Sequence, residues 1–153
     1  MRQGATSVLK WFSALYVLAI IVQLFLAGEG IFRLNNVRHS DDCTKAAGCL
    51  TDTSKTLDAH RALGTILVVP GALLFLIVAL LAWHPNKRVR TISILAPILA
   101  FLQIVLAIIG NWVGGLHVLN GVLVLSLFTW LAVTLRQPQE AVAAEVAPAP
   151  SAA

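Results

Sequence analysis

QLFLAGEG at residues 23–30 and QIVLAIIG at residues 103–110 both fit the pattern Q-x-x-L-A-x-x-G, and each lies in a strongly apolar stretch. Each copy precedes a second apolar stretch that begins H-x-x-x-G, once at His60 and once at His117. Leu, Ala and Gly are common in any membrane helix, whereas polar residues are costly in hydrocarbon and are usually retained for a function. The sequence therefore predicts a duplicated pair of helices that carries its rare polar residues at equivalent positions.

The composition indicates a polytopic membrane protein. Of the 153 residues, 58% are hydrophobic and only 12% are charged, whereas soluble domains average about 25% charged residues. The first apolar run is too long for the core of a signal peptide, and no small-residue cleavage site clearly follows it. A spanning helix needs roughly 20 apolar residues. Four runs reach that length, at approximately residues 11–32, 60–83, 92–112 and 116–135.

The predicted fold class is all-α, an antiparallel bundle of four transmembrane helices made of two tandem helical hairpins over residues 1–136. A repeat of two spans keeps its orientation, so the hairpins should be related by a pseudo-two-fold axis along the membrane normal. The stretch at residues 137–153 is rich in Ala, Pro and Glu. It cannot bury enough surface to offset the entropy of ordering, and we predict a disordered cytoplasmic tail.

A short basic sequence orients the predicted bundle. Residues 86–90 read NKRVR, between the second and third runs. Because short loops rich in Lys and Arg stay in the cytoplasm, this loop and both termini are predicted to be cytoplasmic, with residues 33–59 forming an outer loop. The net charge of +4 then reflects the inner face of the cell membrane, and we predict no nucleic-acid partner.

The only two cysteines, Cys43 and Cys49, lie in the predicted outer loop. Outside the cytoplasm a pair this close is expected to form a disulfide, whereas in the cytoplasm it would usually stay reduced. A metal site is the alternative, but zinc takes about four ligands and only His39 is nearby. We predict a disulfide that mainly shapes the loop, since a short closed loop gains little stability.

His60 and His117 are the candidate metal ligands. The predicted symmetry puts both at one depth near the outer face, on the second and fourth helices. A haem iron takes two imidazoles, and a b-type haem needs no attachment motif such as C-x-x-C-H. A zinc site is a weaker alternative, because zinc takes about four ligands and only Glu29 or Asp58 is placed to join the two histidines. A lone histidine at a helix start is more often only hydrogen-bonded, but the repeated pair favours haem b as cofactor.

Three further residues complete the predicted cofactor-binding set. Gly64 and Gly121 lie one turn after the histidines on the same helix faces. A glycine there leaves room for a flat macrocycle, although small residues at helical spacing also serve close helix packing. Arg61 is placed to pair with haem propionates, since a guanidinium suits carboxylates. The alternative for Arg61 is snorkelling to the interface.

Other polar residues have less specific roles. Glu29 and Asp58 are the candidates for proton relay in catalysis, with plain solvation at the headgroups as the alternative. Gln23 and Gln103 lie deeper and either hydrogen-bond across the symmetry axis or contact a ligand, and we favour a packing role. Asn120 shares a face with His117 and is placed to orient it. Two histidines are predicted to lie outside the site: His84, at the cytoplasmic boundary, and His39.

These residues resemble one half of haem A synthase, the membrane enzyme that oxidises haem O with a haem b cofactor. The resemblance covers approximately residues 11–135 and implies a four-helix bundle with histidines on its second and fourth helices and a cysteine pair in the first outer loop. Leu57 stands where that family has a carboxylate, with Asp58 one place on. The sequence LDAHRALG at residues 57–64 is similar to an uncharacterised family of small bacterial four-helix membrane proteins, which implies a fold but no function.

We therefore expect an integral membrane protein that binds haem b through two histidines and serves electron transfer or an oxidation like that of haem A synthase. The expected partners are the lipid bilayer and a redox protein or a quinone. A two-site version would need a homodimer, because the chain holds one four-helix half. The alternative is a non-enzymatic membrane subunit or small-molecule carrier whose histidines only hydrogen-bond.

Overall fold

The computed structural model describes residues 2–38, 55, 57–109 and 113–137, and within these residues the chain is all-helical. The first helix is Arg2–Arg38, the second runs over Asp58–Ala82, the third is Lys87–Ile109 and the fourth is Val113–Thr134. Each contains a stretch long and apolar enough to cross a membrane. Within these residues the prediction of an all-helical fold with four potential membrane spans is confirmed. Residues 39–54, with His39, Cys43 and Cys49, and the predicted tail from 138 onward lie outside the described residues.

The packing of the helices follows a simple order, in which the first helix contacts the second and fourth, and the third helix also contacts the second and fourth. Contacts along the first helix show where its neighbours lie. Phe12 packs against Phe75 of the second helix, and further along the first helix Gln23 bonds to His60. His60 of the second helix therefore lies at the level of Gln23 of the first helix, about three turns beyond the level of Phe12.

Aromatic side chains form the core of the packed helices. Phe75 and Phe128 are fully buried, and their rings meet edge to face at a centroid distance of 4.8 Å. Tyr16 stacks on Phe128 at 4.3 Å, and Phe12 closes the group against Tyr16 and Phe75. Small side chains let the helix backbones approach around this cluster. Among the described residues, the buried small ones are Ser13, Ala72, Ala79, Ala82, Ser93, Ala96, Ala100 and Ala132.

The second helix contains a π-helical turn at Leu67–Gly71, which includes Pro70. Proline has no backbone N–H and cannot maintain the regular α-helical hydrogen bonds. The Tyr16 hydroxyl donates to the carbonyl of Leu67, which also accepts from the backbone N–H of Ala72, so a side chain of the first helix adds a second hydrogen bond at this turn. A Cβ at Gly71 would lie 3.0 Å from the Tyr16 hydroxyl oxygen. Glycine at this position therefore lets the tyrosine reach the turn.

A tight turn joins the second and third helices. Trp83 ends the second helix with φ 36°, in the left-handed region that bulky residues rarely adopt. Asn86 then begins the third helix, because its side-chain oxygen accepts from the N–H groups of Arg88 and Val89 at 2.9 and 3.4 Å. The side chain of Arg90, one turn later, lies 4.7 Å above the Trp83 ring.

Large apolar side chains remain exposed on all four helices, among them Phe25, Leu81, Ile108 and Val118. In a soluble protein such extensive apolar surface would be unusual. Facing lipid hydrocarbon, it is the surface that a spanning helix requires. The described residues are thus consistent with a multi-pass membrane protein.

Candidate functional site

His60 lies in the first turn of the second helix and is half-buried against the first helix. Its Nδ1 is 3.1 Å from the backbone carbonyl oxygen of Gln23. The Gln23 side chain bonds in the opposite direction, since its Nε2 donates to the His60 carbonyl at 2.7 Å. The two residues therefore fasten the first and second helices together by a pair of reciprocal hydrogen bonds.

His117 has the same relation to Gln103 in the second half of the chain. It lies in the first part of the fourth helix, and its Nδ1 is 3.0 Å from the backbone carbonyl oxygen of Gln103. Asn120 reinforces this contact, since its side-chain amide donates to Gln103 Oε1 at 2.6 Å and to the Leu99 carbonyl at 2.9 Å. Asn120 thus positions Gln103, the residue that holds His117.

The carbonyl partners determine which imidazole nitrogen is available for chemistry. A carbonyl oxygen only accepts hydrogen bonds, so each Nδ1 must carry the proton and donate it. The lone pair of each neutral imidazole is then on Nε2. Histidines that bind a metal commonly donate their other N–H to a carbonyl in this way, which fixes the ring and increases its basicity. Both histidines therefore have hydrogen bonding of the kind that orients many metal-ligating histidines.

The structure brings the two imidazoles together. The ring centroids of His60 and His117 are 6.4 Å apart, with the ring planes at 71°. Two metal–nitrogen bonds of about 2 Å, with about 1 Å more from each nitrogen to its ring centre, give about 6 Å for two imidazoles on opposite sides of one metal. The observed centroid spacing is close to this value, so the spacing and hydrogen bonding of the two histidines fit a shared metal, and the haem itself stays a prediction.

Gly64 and Gly121 have glutamine amides as their neighbours. A Cβ at Gly64 would lie 2.7 Å from Gln23 Nε2, and a Cβ at Gly121 would lie 3.0 Å from Gln103 Nε2. The glycines therefore make room for the side chains whose backbone carbonyls hold the histidines. This is a different neighbour from the macrocycle expected from the sequence, and the assignment of both glycines to the cofactor stays a prediction.

The candidate carboxylates pair with arginines of their own helices. Glu29 bonds to Arg33, and Asp58 lies 3.6 Å from Arg61, with both side chains of the latter pair well exposed. Within residues 2–38, 57–109 and 113–137, no group of three or more His, Cys, Asp and Glu side chains could hold a metal ion. A zinc site of the usual four ligands therefore has no support there. The roles of Glu29 and Asp58 in proton relay and of Arg61 toward propionates stay predictions.

The two glutamines differ in one respect. Gln103 Oε1 accepts from Asn120, whereas Gln23 Oε1 is buried and has no hydrogen-bond partner among the described residues. The residue equivalent to Asn120, three places after His60, is Leu63. The repeated Gln and His were visible in the sequence, but the use of the glutamine backbone carbonyls was not, since every residue has one.

His84 lies apart from this site, after the far end of the second helix. Its Nδ1 accepts from the backbone N–H of Asn86 at 3.2 Å, and burial lowers the pKa of its imidazole.

No protein-family model, no curated protein and no solved structure matches this chain. The resemblance to haem A synthase therefore stays a prediction from the residues, and the function is argued below from the site alone.

Proposed function

We propose that this chain is an integral membrane protein that binds one b-type haem through His60 and His117. The observation that carries the proposal is the pair of imidazoles at 6.4 Å, each oriented by a Gln backbone carbonyl. Both rings are half-buried between helices, where a large apolar cofactor would be shielded from water.

The haem, when bound, supplies one-electron redox chemistry at iron. The chain's own residues hold and tune it. The carbonyls of Gln23 and Gln103 keep each proton on Nδ1, which leaves Nε2 for the metal and makes it a stronger donor. If both histidines held the iron, no position would be left there for a substrate, so we favour electron transfer over the alternative, an oxidation like that of haem A synthase. A redox protein or a quinone would exchange the electrons, and a homodimer would be needed for two haems.

The same proposal includes an antiparallel bundle of two hairpins related by a pseudo-two-fold axis. Contacts at three levels support the direction of the second helix: Phe12 with Phe75, Tyr16 with Leu67, and Gln23 with His60. As the residue number rises in the first helix, it falls in the second. The equivalent bonds of His60 to Gln23 and of His117 to Gln103 support the symmetry.

We further propose that the protein lies in the cell membrane with both termini in the cytoplasm, on the basis of the basic turn before the third helix. Asn86 is exposed in that turn and is a suitable labelling position. With Cys43 and Cys49 replaced by alanine, Asn86→Cys should resist a membrane-impermeant thiol reagent in intact cells and react after lysis. Labelling in intact cells would contradict this orientation.

Absorption spectroscopy tests the haem. The purified full chain, supplied with haem, should give a Soret band and the spectrum of a six-coordinate low-spin iron, with one haem per chain. His60→Ala and His117→Ala should each abolish the low-spin spectrum, whereas His84→Ala should leave it intact.

A wild-type protein that takes up no haem would contradict the proposal. It would favour the non-enzymatic alternative, a membrane subunit or carrier in which the histidines only join helices. Retention of the low-spin spectrum in both alanine variants would contradict the assigned ligands.

A further inference from the structure

We propose that a cleft at the end of the packed helices remote from His60 and His117 binds the phosphate headgroup of an anionic phospholipid. The cleft has a volume of about 650 Å³ and lies between the start of the first helix and the turn that joins the second and third helices. Residues of the first helix that line it include Gln3, Thr6 and Ser7. Trp83 and Arg90 line it from the other side.

Arg90 provides the positive charge of the cleft. Its guanidinium lies 4.7 Å above the centre of the Trp83 ring, which holds the cation by its face and leaves the N–H groups at the guanidinium edge for a ligand. None of the described residues that line the cleft is acidic. A planar guanidinium with several donors recognises phosphate oxygens well, and phosphate is therefore the matching ligand chemistry.

The neutral lining residues add hydrogen-bond donors to this charge. Ser7 and Gln3 are exposed at the cleft and carry a hydroxyl and an amide. His84 also lines the cleft, and its Nδ1 already accepts from Asn86, so a neutral His84 carries its proton on Nε2 as a donor. A quinone carbonyl would need one donor and no cation. Several donors around an arginine favour an anion with several oxygens.

The backbone of Trp83 gives an independent reason to regard the cleft as a built site. Helix ends in the left-handed conformation are usually occupied by glycine, but here the residue is a tryptophan at φ 36°. Strained conformations of bulky residues tend to occur where function requires them. This one places the indole beneath Arg90 and in the wall of the cleft.

The position of the cleft favours a lipid over free phosphate. It lies at the junction of two potential membrane spans, with Ala82 and Pro85 as apolar lining and the exposed Leu81 on the adjoining helix end. Exposed Lys87 and Arg88 flank the same turn. Basic pockets at the ends of membrane helices bind anionic headgroups while the acyl chains follow the apolar helix surface.

Native mass spectrometry of the full chain in a non-ionic detergent tests the proposal. The protein is titrated with an equimolar mixture of phosphatidylglycerol and phosphatidylcholine, and phosphatidylglycerol should be retained preferentially as one tightly bound molecule. Arg90→Gln should weaken that binding about tenfold, as expected for the loss of one charged hydrogen bond. Arg136→Gln is the matched control, since Arg136 also lies over a tryptophan, Trp11, but is not part of the cleft lining.

Trp83→Gly provides a second variant that keeps the left-handed helix end without strain, and it should fold as well as the wild type yet bind the anionic lipid more weakly. Equal losses in the Arg90 and Arg136 variants, or equal retention of both lipids, would overturn the proposal. Displacement of the lipid by millimolar inorganic phosphate alone would overturn the choice of a lipid. Displacement of the bound phosphatidylglycerol by an equimolar amount of a short-chain quinone would also overturn the proposal and identify a quinone site instead.

Discussion

Asn120 donates from its side-chain amide to Gln103 Oε1 over 2.6 Å, whereas at the equivalent position of the first half Leu63 has no such group. The glutamine of the first half has a buried Oε1 without a hydrogen-bond partner among the described residues. Two halves that hold their histidines in the same way therefore hold their glutamines differently.

The two separate substitutions Asn120→Leu and Leu63→Asn should change the free energy of unfolding in opposite directions. Asn120→Leu leaves Gln103 Oε1 without its donor and should destabilise the protein by roughly 1–2 kcal/mol. Leu63→Asn supplies a donor near Gln23 Oε1 and should stabilise the protein by up to about 1 kcal/mol. Unfolding in detergent, followed by circular dichroism, measures both changes. Destabilisation by Leu63→Asn as large as that by Asn120→Leu would show that Gln23 Oε1 needs no donor.

Alanine substitutions should separate the glycines that face glutamine from one that faces open space. In Gly64→Ala the new Cβ would displace the Gln23 amide and break its 2.7 Å bond to His60. At Gly28 a Cβ would meet nothing within 4 Å, so Gly28→Ala should gain the helix propensity of alanine, about 0.5–1 kcal/mol. Gly64→Ala should therefore be less stable than Gly28→Ala by about 1 kcal/mol or more, as measured by unfolding in detergent.

Gly121→Ala extends this comparison to the second half. Its Cβ would lie 3.0 Å from Gln103 Nε2, a milder conflict than at Gly64. We expect its unfolding free energy to fall between those of the Gly28 and Gly64 variants. Equal stability of the three alanine variants would mean that the hydrogen bonds of the glutamine side chains do not require glycine at residues 64 and 121.

The number of spanning helices was predictable from the sequence because hydrocarbon thickness fixes the length of an apolar run. The helix ends were not, since the first helix begins at Arg2 and the third at Lys87, outside the apolar runs that predicted them. Polar residues can extend a helix beyond the hydrocarbon without any hydropathy signal.

The candidate site was predictable only to the level of residue types. The repeat indicated that His60 and His117 are equivalent, and the structure places their rings 6.4 Å apart. The repeat did not indicate that backbone carbonyls orient the rings, because every residue has a backbone carbonyl. Likewise the contact between Gly64 and the Gln23 side chain depends on how the first and second helices pack. A sequence pattern within one helix carries no information about that packing.

Tyr16→Phe should destabilise the protein by about 1 kcal/mol, since it removes the hydroxyl that donates to the Leu67 carbonyl in the π-helical turn and keeps the stacked ring. Ser126→Ala is the control, because the Ser126 hydroxyl is exposed and donates to the Val122 carbonyl within its own helix. That variant should stay within about 0.5 kcal/mol of the wild type. Thermal unfolding measures the stability of both variants. Equal losses of stability would show that the Tyr16 hydroxyl does not stabilise the turn.

His84 should make the protein less stable in mild acid. Burial lowers the pKa of its imidazole below the ordinary value near 6.5, so the unfolded chain takes up a proton more readily than the folded protein. The contribution of His84 to stability is therefore fully present above about pH 6.5 and is lost as the pH falls through its lower folded value. NMR titration of labelled histidine should show this lowered pKa directly. His84→Gln should reduce the loss of stability between about pH 7 and 5, and an unchanged pH dependence in that variant would assign the effect to other groups.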